Sequence, residues 1–338
     1  MERILQIMMK YLKPKRIICL IMCCLILLFT SACGSGSSYL NEYSELDLLT
    51  DSNLTAKVDL SRAAAFTKNI AVVSVSENSS FTENSGHLTA GSALLVDRNN
   101  NKALYFSNIF EQVAPASLTK LMTALIVLKY GNLDDEITIT EDFSAAVPDA
   151  QVCGFQMGDK VTLRQLFYCM LVYSGNDTAH AIALHISGNL SEFCKLMNDE
   201  AKKIGATNTN FVNPHGLDED NHYSTAYDLY LIFNECLKYD TFIDAISKVD
   251  YTAEYTDSAG ESVSKSFSTT NLYLINQVTA PATGAIIGGK TGTTTDAGNC
   301  LILYAKKGDS YYISLLLGNS SKAELYSQMN TLLEKVQN

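Results

Sequence analysis

Two strand-like regions bracket a long helical interior. Residues 91–96 and 103–106 are short apolar runs on either side of Asp97-Arg98-Asn99-Asn100-Asn101, a polar cluster suited to a hairpin turn. Residues 118–130 repeat apolar positions at helical spacing and stop at Gly131, a C-cap residue type. The spans 163–172, 177–186, 191–204 and 225–237 carry the same spacing, with Ser191 read as the cap before Phe193, Leu196 and Met197. Strand signals return over 286–290, 299–305 and 311–317, and 322–336 forms a last amphipathic helix. No internal repeat is visible. The order strands, helices, strands, helix predicts an α+β fold. One antiparallel sheet draws on both chain ends and is flanked by helices, with an all-helical subdomain inserted over about residues 130–265.

The start of the chain follows a different pattern. Arg3, Lys10, Lys13, Lys15 and Arg16 stand against a single acid, Glu2, and residues 17–29 are uncharged and apolar. Such a run makes about 20 Å of helix, short of the roughly 30 Å of a bilayer core. A basic head, a short apolar run and small residues behind it describe a secretory signal. Its end, Thr30-Ser31-Ala32-Cys33-Gly34, resembles a lipobox, in which the Cys is lipidated and becomes the N-terminus. Thr30 stands where that pattern has an aliphatic residue. Plain cleavage after Ala32 and an uncleaved anchor are the other two readings. All three carry the rest of the chain out of the cytoplasm. The expected organisation is a lipoprotein-type signal over 1–32, a tether and N-terminal extension over 33–88 with a strand-like run at 69–76, and the folded domain over 89–338.

Composition narrows the partners. The chain has 338 residues, 47% apolar and 18% charged, with a net charge of -11. A sizeable core is expected, and nucleic acid is excluded as a partner because phosphate binding wants a basic surface. An anionic substrate must therefore meet a local cation. Outside the N-terminal segment the cysteines are Cys153, Cys169, Cys194, Cys236 and Cys300. Their number is odd and no CxxC pair occurs, so buried thiols are expected.

Three small clusters carry candidate chemistry. In Ser117-Leu118-Thr119-Lys120, at a helix start, the hydroxyl and the amine lie three residues apart and share one face. A Ser hydroxyl needs a base, and a Lys serves as one when burial or a second cation lowers its pKa. Ser174-Gly175-Asn176 falls in the break between two helices. Lys290-Thr291-Gly292, followed by Thr293, lies on a strand, where Gly marks close approach by another backbone or a ligand. Each cluster alone is weak, and long proteins contain such triplets by chance. In this order and in an exported chain they form a strong set.

Taken with Pro115-Ala116, Tyr173, Asp177 and Asn213-Pro214-His215-Gly216-Leu217, these clusters resemble the serine-type D-alanyl-D-alanine carboxypeptidases. These are the low-molecular-mass penicillin-binding proteins of the β-lactamase/transpeptidase-like superfamily. The resemblance runs from about Gly91 to the C-terminus. It implies a hydrolase that removes the terminal D-alanine from peptidoglycan stem pentapeptides through an acyl-enzyme on Ser117. It also implies Lys120 as base and Ser174 as proton relay. Asn176, Lys290, Thr291, Gly292 and Thr293 become the substrate-binding residues, with backbone N–H groups of Ser117 and Thr293 as the oxyanion hole. β-Lactams become inhibitors, and neither cofactor nor metal is called for. The membrane is reached through the lipid on Cys33 or an uncleaved signal. One departure matters: relatives often use an Arg after the last strand to hold the substrate carboxylate, but no Arg follows Arg164 here. Lys322 is the substitute, without the bidentate fork of an Arg.

Competing readings meet specific objections. A β-lactamase with the same clusters also needs a Glu-x-x-Leu-Asn between Ser174 and Lys290, and none is present. Gly284-Ala285-Ile286-Ile287-Gly288-Gly289-Lys290-Thr291 fits a P-loop pattern, but where a helix should open residues 292–298 are Thr- and Gly-rich and a strand follows. His180 and His185 are five apart, not the four of a zinc helix motif, and His215 reads as a hydrogen-bonder in its loop. A non-catalytic sensor of peptidoglycan or β-lactams and a D,D-endopeptidase remain the alternatives to the carboxypeptidase.

Overall fold

The computed structural model describes residues 88–336, apart from 144–146, 148, 149 and 283. The expectations for the signal, for Cys33, for the 69–76 run and for nearly all of the tether lie outside the described residues.

A five-stranded antiparallel sheet has the order β2-β1-β9-β8-β7. Its strands are β1 (Ser92–Asp97), β2 (Lys102–Ser107), β7 (Ala285–Thr294), β8 (Gly298–Lys307) and β9 (Ser310–Asn319). β1, from the start of the domain, pairs with β9 near its end, Leu94 opposite Leu315. Successive residues of the inner strands serve two different cores. Leu94, Val96, Cys300, Ile302, Ile313 and Leu315 face the helical body, while Leu95, Leu301, Leu303 and Leu316 face the C-terminal helix α7 (Lys322–Leu333). A sheet covered on both sides has no polar face, which is why these strands read as unbroken apolar runs.

The helical body holds α1 (Lys120–Tyr130), α2 (Leu163–Val172), α3 (Asn176–Ser187), α4 (Leu190–Lys203), α5 (Ala226–Cys236) and α6 (Asp240–Ser247). α1 is its axis, with all residues from Lys120 to Val127 buried. α2 opens with a full capping box between Thr162 and Gln165. The cap of α4 is Asn189, not the expected Ser191. The Asn189 side chain accepts the Glu192 N–H, and starting there keeps Phe193, Met197 and Ala201 on the buried face.

The insert is not wholly helical. Four strands, β3 (Glu136–Thr138), β4 (Lys160–Thr162), β5 (Asp250–Thr256) and β6 (Ser262–Ser268), form a second antiparallel sheet in that order. β3 and β4 are only three residues each, and in β5 and β6 exposed polar residues alternate with inward-facing Tyr251, Ala253, Tyr255, Val263, Lys265 and Phe267. β3 and β4 are too short to read as strands, whereas the period-2 alternation of β5 and β6 is a strand signal that the expectation of an all-helical insert passes over. The five cysteines of the described residues are all free and buried.

Candidate active site

A 3-10 turn, Ala116–Thr119, runs directly into α1. Pro115 precedes it, and Ala116 adopts a left-handed backbone, φ 48. Ala116, Leu118, Leu121 and Met122 are fully buried, so the turn is anchored in the core and only Ser117 of this segment faces the cavity described below. Lys120 is also fully buried, a position lysine rarely holds unless paired.

The Lys120 Nζ donates to Ser117 Oγ at 2.9 Å, to Asn176 Oδ1 at 2.7 Å and to the His215 carbonyl at 2.6 Å. These acceptors also define what a neutral amine does here. Two N–H groups stay with the Asn176 and His215 oxygens, which offer no proton in return. The lone pair is then left for the Ser117 hydroxyl. Burial pulls the Lys120 pKa well below its ordinary value, and the Lys290 charge adds to that, against the opposing pull of Asp177 and Cys153. Burial and the same Lys120 charge hold His215 neutral, its pKa far down at about 2.

Ser174 and Asn176 sit where α2 gives way to α3. Ser174 is left-handed, φ 71, a strained choice for a residue with a β-carbon. The bend is pinned from α3. The Asp177 carboxylate accepts the N–H groups of Cys153 at 2.8 Å, Gly154 at 2.8 Å and Phe155 at 3.3 Å. The Asn176 N–H donates to the Gln151 carbonyl at 2.8 Å. Residues 151–155 are thereby locked against the start of α3.

Lys290, Thr291, Gly292 and Thr293 lie on β7, an edge of the five-stranded sheet. A β-carbon on Gly292 would stand 3.1 Å from both the Ser117 nitrogen and the Ala116 methyl, so a bare α-carbon lets the strand pass the nucleophile closely. Lys290 is buried and donates to Ser174 Oγ at 2.7 Å and to the Thr291 carbonyl at 2.9 Å. Burial lowers its pKa to about 7. The Thr291 hydroxyl shares a hydrogen bond with that of Thr270.

These groups converge on a cavity of about 280 Å³ lined by Ser117, Ser174, Asn176, Thr291, Gly292 and Thr293. Lys120 and Lys290 lie behind it, each bonded to one of its two serines. Lys322, exposed at the first position of α7, stands on the same wall. A larger cavity, about 390 Å³, lies between β3 and α3. It holds neither serine nor lysine, whereas both serine–lysine pairs meet at the smaller one. On its rim His180 bonds Glu141 at 2.7 Å and His185 bonds Asp135 at 3.1 Å. Among the described residues no group of three or more His, Cys, Asp or Glu is arranged to hold a metal.

All eight predicted catalytic and substrate-binding residues thus belong to one constellation. Sequence reasoning missed the His215 carbonyl, the Asp177 clamp, Thr270 and Gln151. A carbonyl acceptor leaves no mark in residue identity, and the other three become partners only through tertiary contact.

Residues 76–321 match the family model described as D-alanyl-D-alanine carboxypeptidase. D-alanyl-D-alanine carboxypeptidase DacF of Bacillus subtilis is 36% identical over 250 residues, covering 72% of this chain and 61% of that protein. DacC of Escherichia coli, of the same description, is 31% identical over 257 residues, 71% of this chain and 59% of that protein. The chain thus spans about three fifths of the length of these curated relatives. The crystal structure of the Streptomyces K15 DD-transpeptidase superposes with a TM-score of 0.69 at 27% identity, covering 75% of this chain and 99% of that one.

Proposed function

The chain belongs to the D-alanyl-D-alanine carboxypeptidase family, and from that premise we propose that it removes the terminal D-alanine from peptidoglycan stem peptides by acyl transfer through Ser117. The observation that carries the reading is the bonding of each serine to its own buried lysine, Ser117 to Lys120 and Ser174 to Lys290.

The steps follow from the proton inventory. Neutral Lys120 accepts the Ser117 proton as Oγ attacks the carbonyl between the last two D-alanines. The developing oxyanion lies between the N–H groups of Ser117 and Thr293, a contribution of about 3–4 kcal/mol per donor. Ser174 relays to the departing amine the proton that Lys120 took from Ser117, which leaves Lys120 neutral again, while the Lys290 ammonium bonded to Ser174 Oγ holds the relay in place. Asn176 fixes Lys120 and meets the substrate backbone. As an edge strand, β7 is placed to pair with an extended peptide. Water then attacks the acyl-enzyme, with Lys120 again taking a proton.

The substrate carboxylate needs a cation. Lys290 and the Thr291 hydroxyl supply one contact, and Lys322 is placed for a second. A lysine in the first turn of a helix opposes the helix dipole. That unfavourable placement makes sense where the cavity must attract an anion. β-Lactams, whose carboxylate and strained amide imitate the peptide end, should acylate the same serine.

Residues 1–32 are proposed as the export signal, Cys33 as its lipidated end and 33–88 as the tether. The basic head, short apolar run and Cys33 of the sequence support this. Among the described residues no helix is long and apolar enough to cross a membrane. The deciding experiment is mass spectrometry after penicillin exposure, together with D-alanine release from a pentapeptide mimic. One adduct on the Ser117 peptide, and release abolished by Ser117→Ala, support the enzyme. Binding without release in the intact protein would instead make it a sensor.

A further inference from the structure

Residues 212–224 run antiparallel along residues 113–123 and are tied to them at four successive points. Val113 and Ser224 exchange two backbone hydrogen bonds, at 2.9 and 3.0 Å. The Thr119 hydroxyl and His222 Nε2 are 2.8 Å apart. The Lys120 Nζ donates to the His215 carbonyl, and the Thr123 hydroxyl donates to the Pro214 carbonyl at 2.6 Å. Three of these ties use only the backbone of the strap, which any sequence offers. The tie at His222 alone depends on a strap side chain, and it reaches Thr119, adjacent to Lys120 and two residues after Ser117.

The tautomer of His222 is fixed by its other nitrogen. Nδ1 lies 3.1 Å from the Val212 nitrogen and accepts that N–H, so the proton of the neutral ring is on Nε2 and is donated to Thr119 Oγ1. The ring is buried, and burial pulls its pKa down to about 4, so it keeps this form at neutral pH. The turn it holds needs holding. Ala116 is left-handed, φ 48, a conformation that an L-residue keeps only where its surroundings hold it.

We infer that His222 is a positioning residue for the nucleophile: its Nε2–H bond to Thr119 fixes the 3-10 turn so that the Ser117 hydroxyl stays on the Lys120 amine. The inference rests on the acyl-transfer reading above. Without the bond, the strained turn relaxes, and a displacement of Ser117 by a fraction of an ångström slows attack while leaving the binding wall of β7 in place.

The test uses the full chain with a labelled penicillin, separating the dissociation constant from the acylation rate constant, alongside thermal melting. Thr119→Val, which removes one oxygen without changing shape, should lower the acylation rate constant about tenfold or more. The dissociation constant should stay within about twofold. His222→Ala should match it, and His222→Gln, whose amide N–H reaches the same place, should recover most of the rate. The double variant Thr119→Val/His222→Ala should be no slower than either single one. Wild-type acylation rates in Thr119→Val, or losses that simply add in the double variant, would overturn the inference. A wild-type protein that forms no adduct would overturn the acyl-transfer reading instead.

Discussion

Gly216 lies so close to Ala116 that a β-carbon on it would stand 1.8 Å from the Ala116 carbonyl oxygen. Its backbone is also left-handed, φ 88. Two independent reasons therefore require glycine where the strap crosses the nucleophile turn. Gly216→Ala should cost on the order of 3–5 kcal/mol and abolish penicillin labelling of whatever remains folded. A melting curve and a labelling gel on the same sample check this.

The two lysines predict opposite limbs of a pH profile. Lys120 works as a base only when neutral, so acylation rises as pH climbs through its lowered pKa. Lys290 works as an ammonium, so acylation falls as pH climbs past about 7. The rate should follow a bell whose alkaline limb lies near 7 rather than near 10.5, the ordinary lysine value. Stopped-flow acylation across pH 5 to 10 would show the limb, and a flat rate from 7 to 10 would contradict the assignment of Lys290.

The same burial has a cost in stability, with a definite sign. Lys290 releases its proton at about 7 when folded and near 10.5 when unfolded, so between these values the unfolded chain holds more protons. Stability should therefore rise with pH across that window, by at most about 1.4 kcal/mol per pH unit from this group. Lys290→Met should melt higher than the wild type at pH 7, show a shallower slope up to pH 10, and lose acylation. Calorimetry at several pH values separates these effects.

Lys322 is exposed, so its replacement should leave the fold untouched. Lys322→Ala should raise KM for a peptide with a free C-terminal carboxylate by about three- to tenfold while kcat changes little. The difference should shrink at high salt and vanish for the C-terminal amide. An unchanged KM would leave Lys290 as sole holder of the carboxylate.

Much of this architecture is legible in the chain, for identifiable reasons. The inner strands show because residues such as Leu301 to Ala305 are buried on both faces, and α2 shows because its capping box uses neighbouring residues. The β5–β6 hairpin is present in the pattern, since exposed Glu254 and Ser266 alternate with inward-facing Tyr255 and Phe267 at period two, but an all-helical reading of the insert passes over it. Asn189 and Ser191 are both good caps two residues apart, and only the phase of the buried face of α4 selects between them. In the site, the three motifs are visible because their chemistry needs particular side chains. Residues 213–217 of the strap stand out only by resemblance, and its grip is invisible because it works mostly through carbonyl oxygens; Asp177, though visible, gives no hint that it serves the amides of residues 153–155.

The pairing of β1 with β9 also governs when activity can begin. A ribosome or a translocation pore delivers the nucleophile segment about two hundred residues before the last strand of the sheet, with Leu94 waiting for Leu315. A nascent chain halted short of β9 holds Ser117 and Lys120 but lacks the strand that joins β1 to β8 in the sheet. Penicillin labelling of Ser117 should therefore arrive late in synthesis, with the final strands, when the sheet that carries β7 closes.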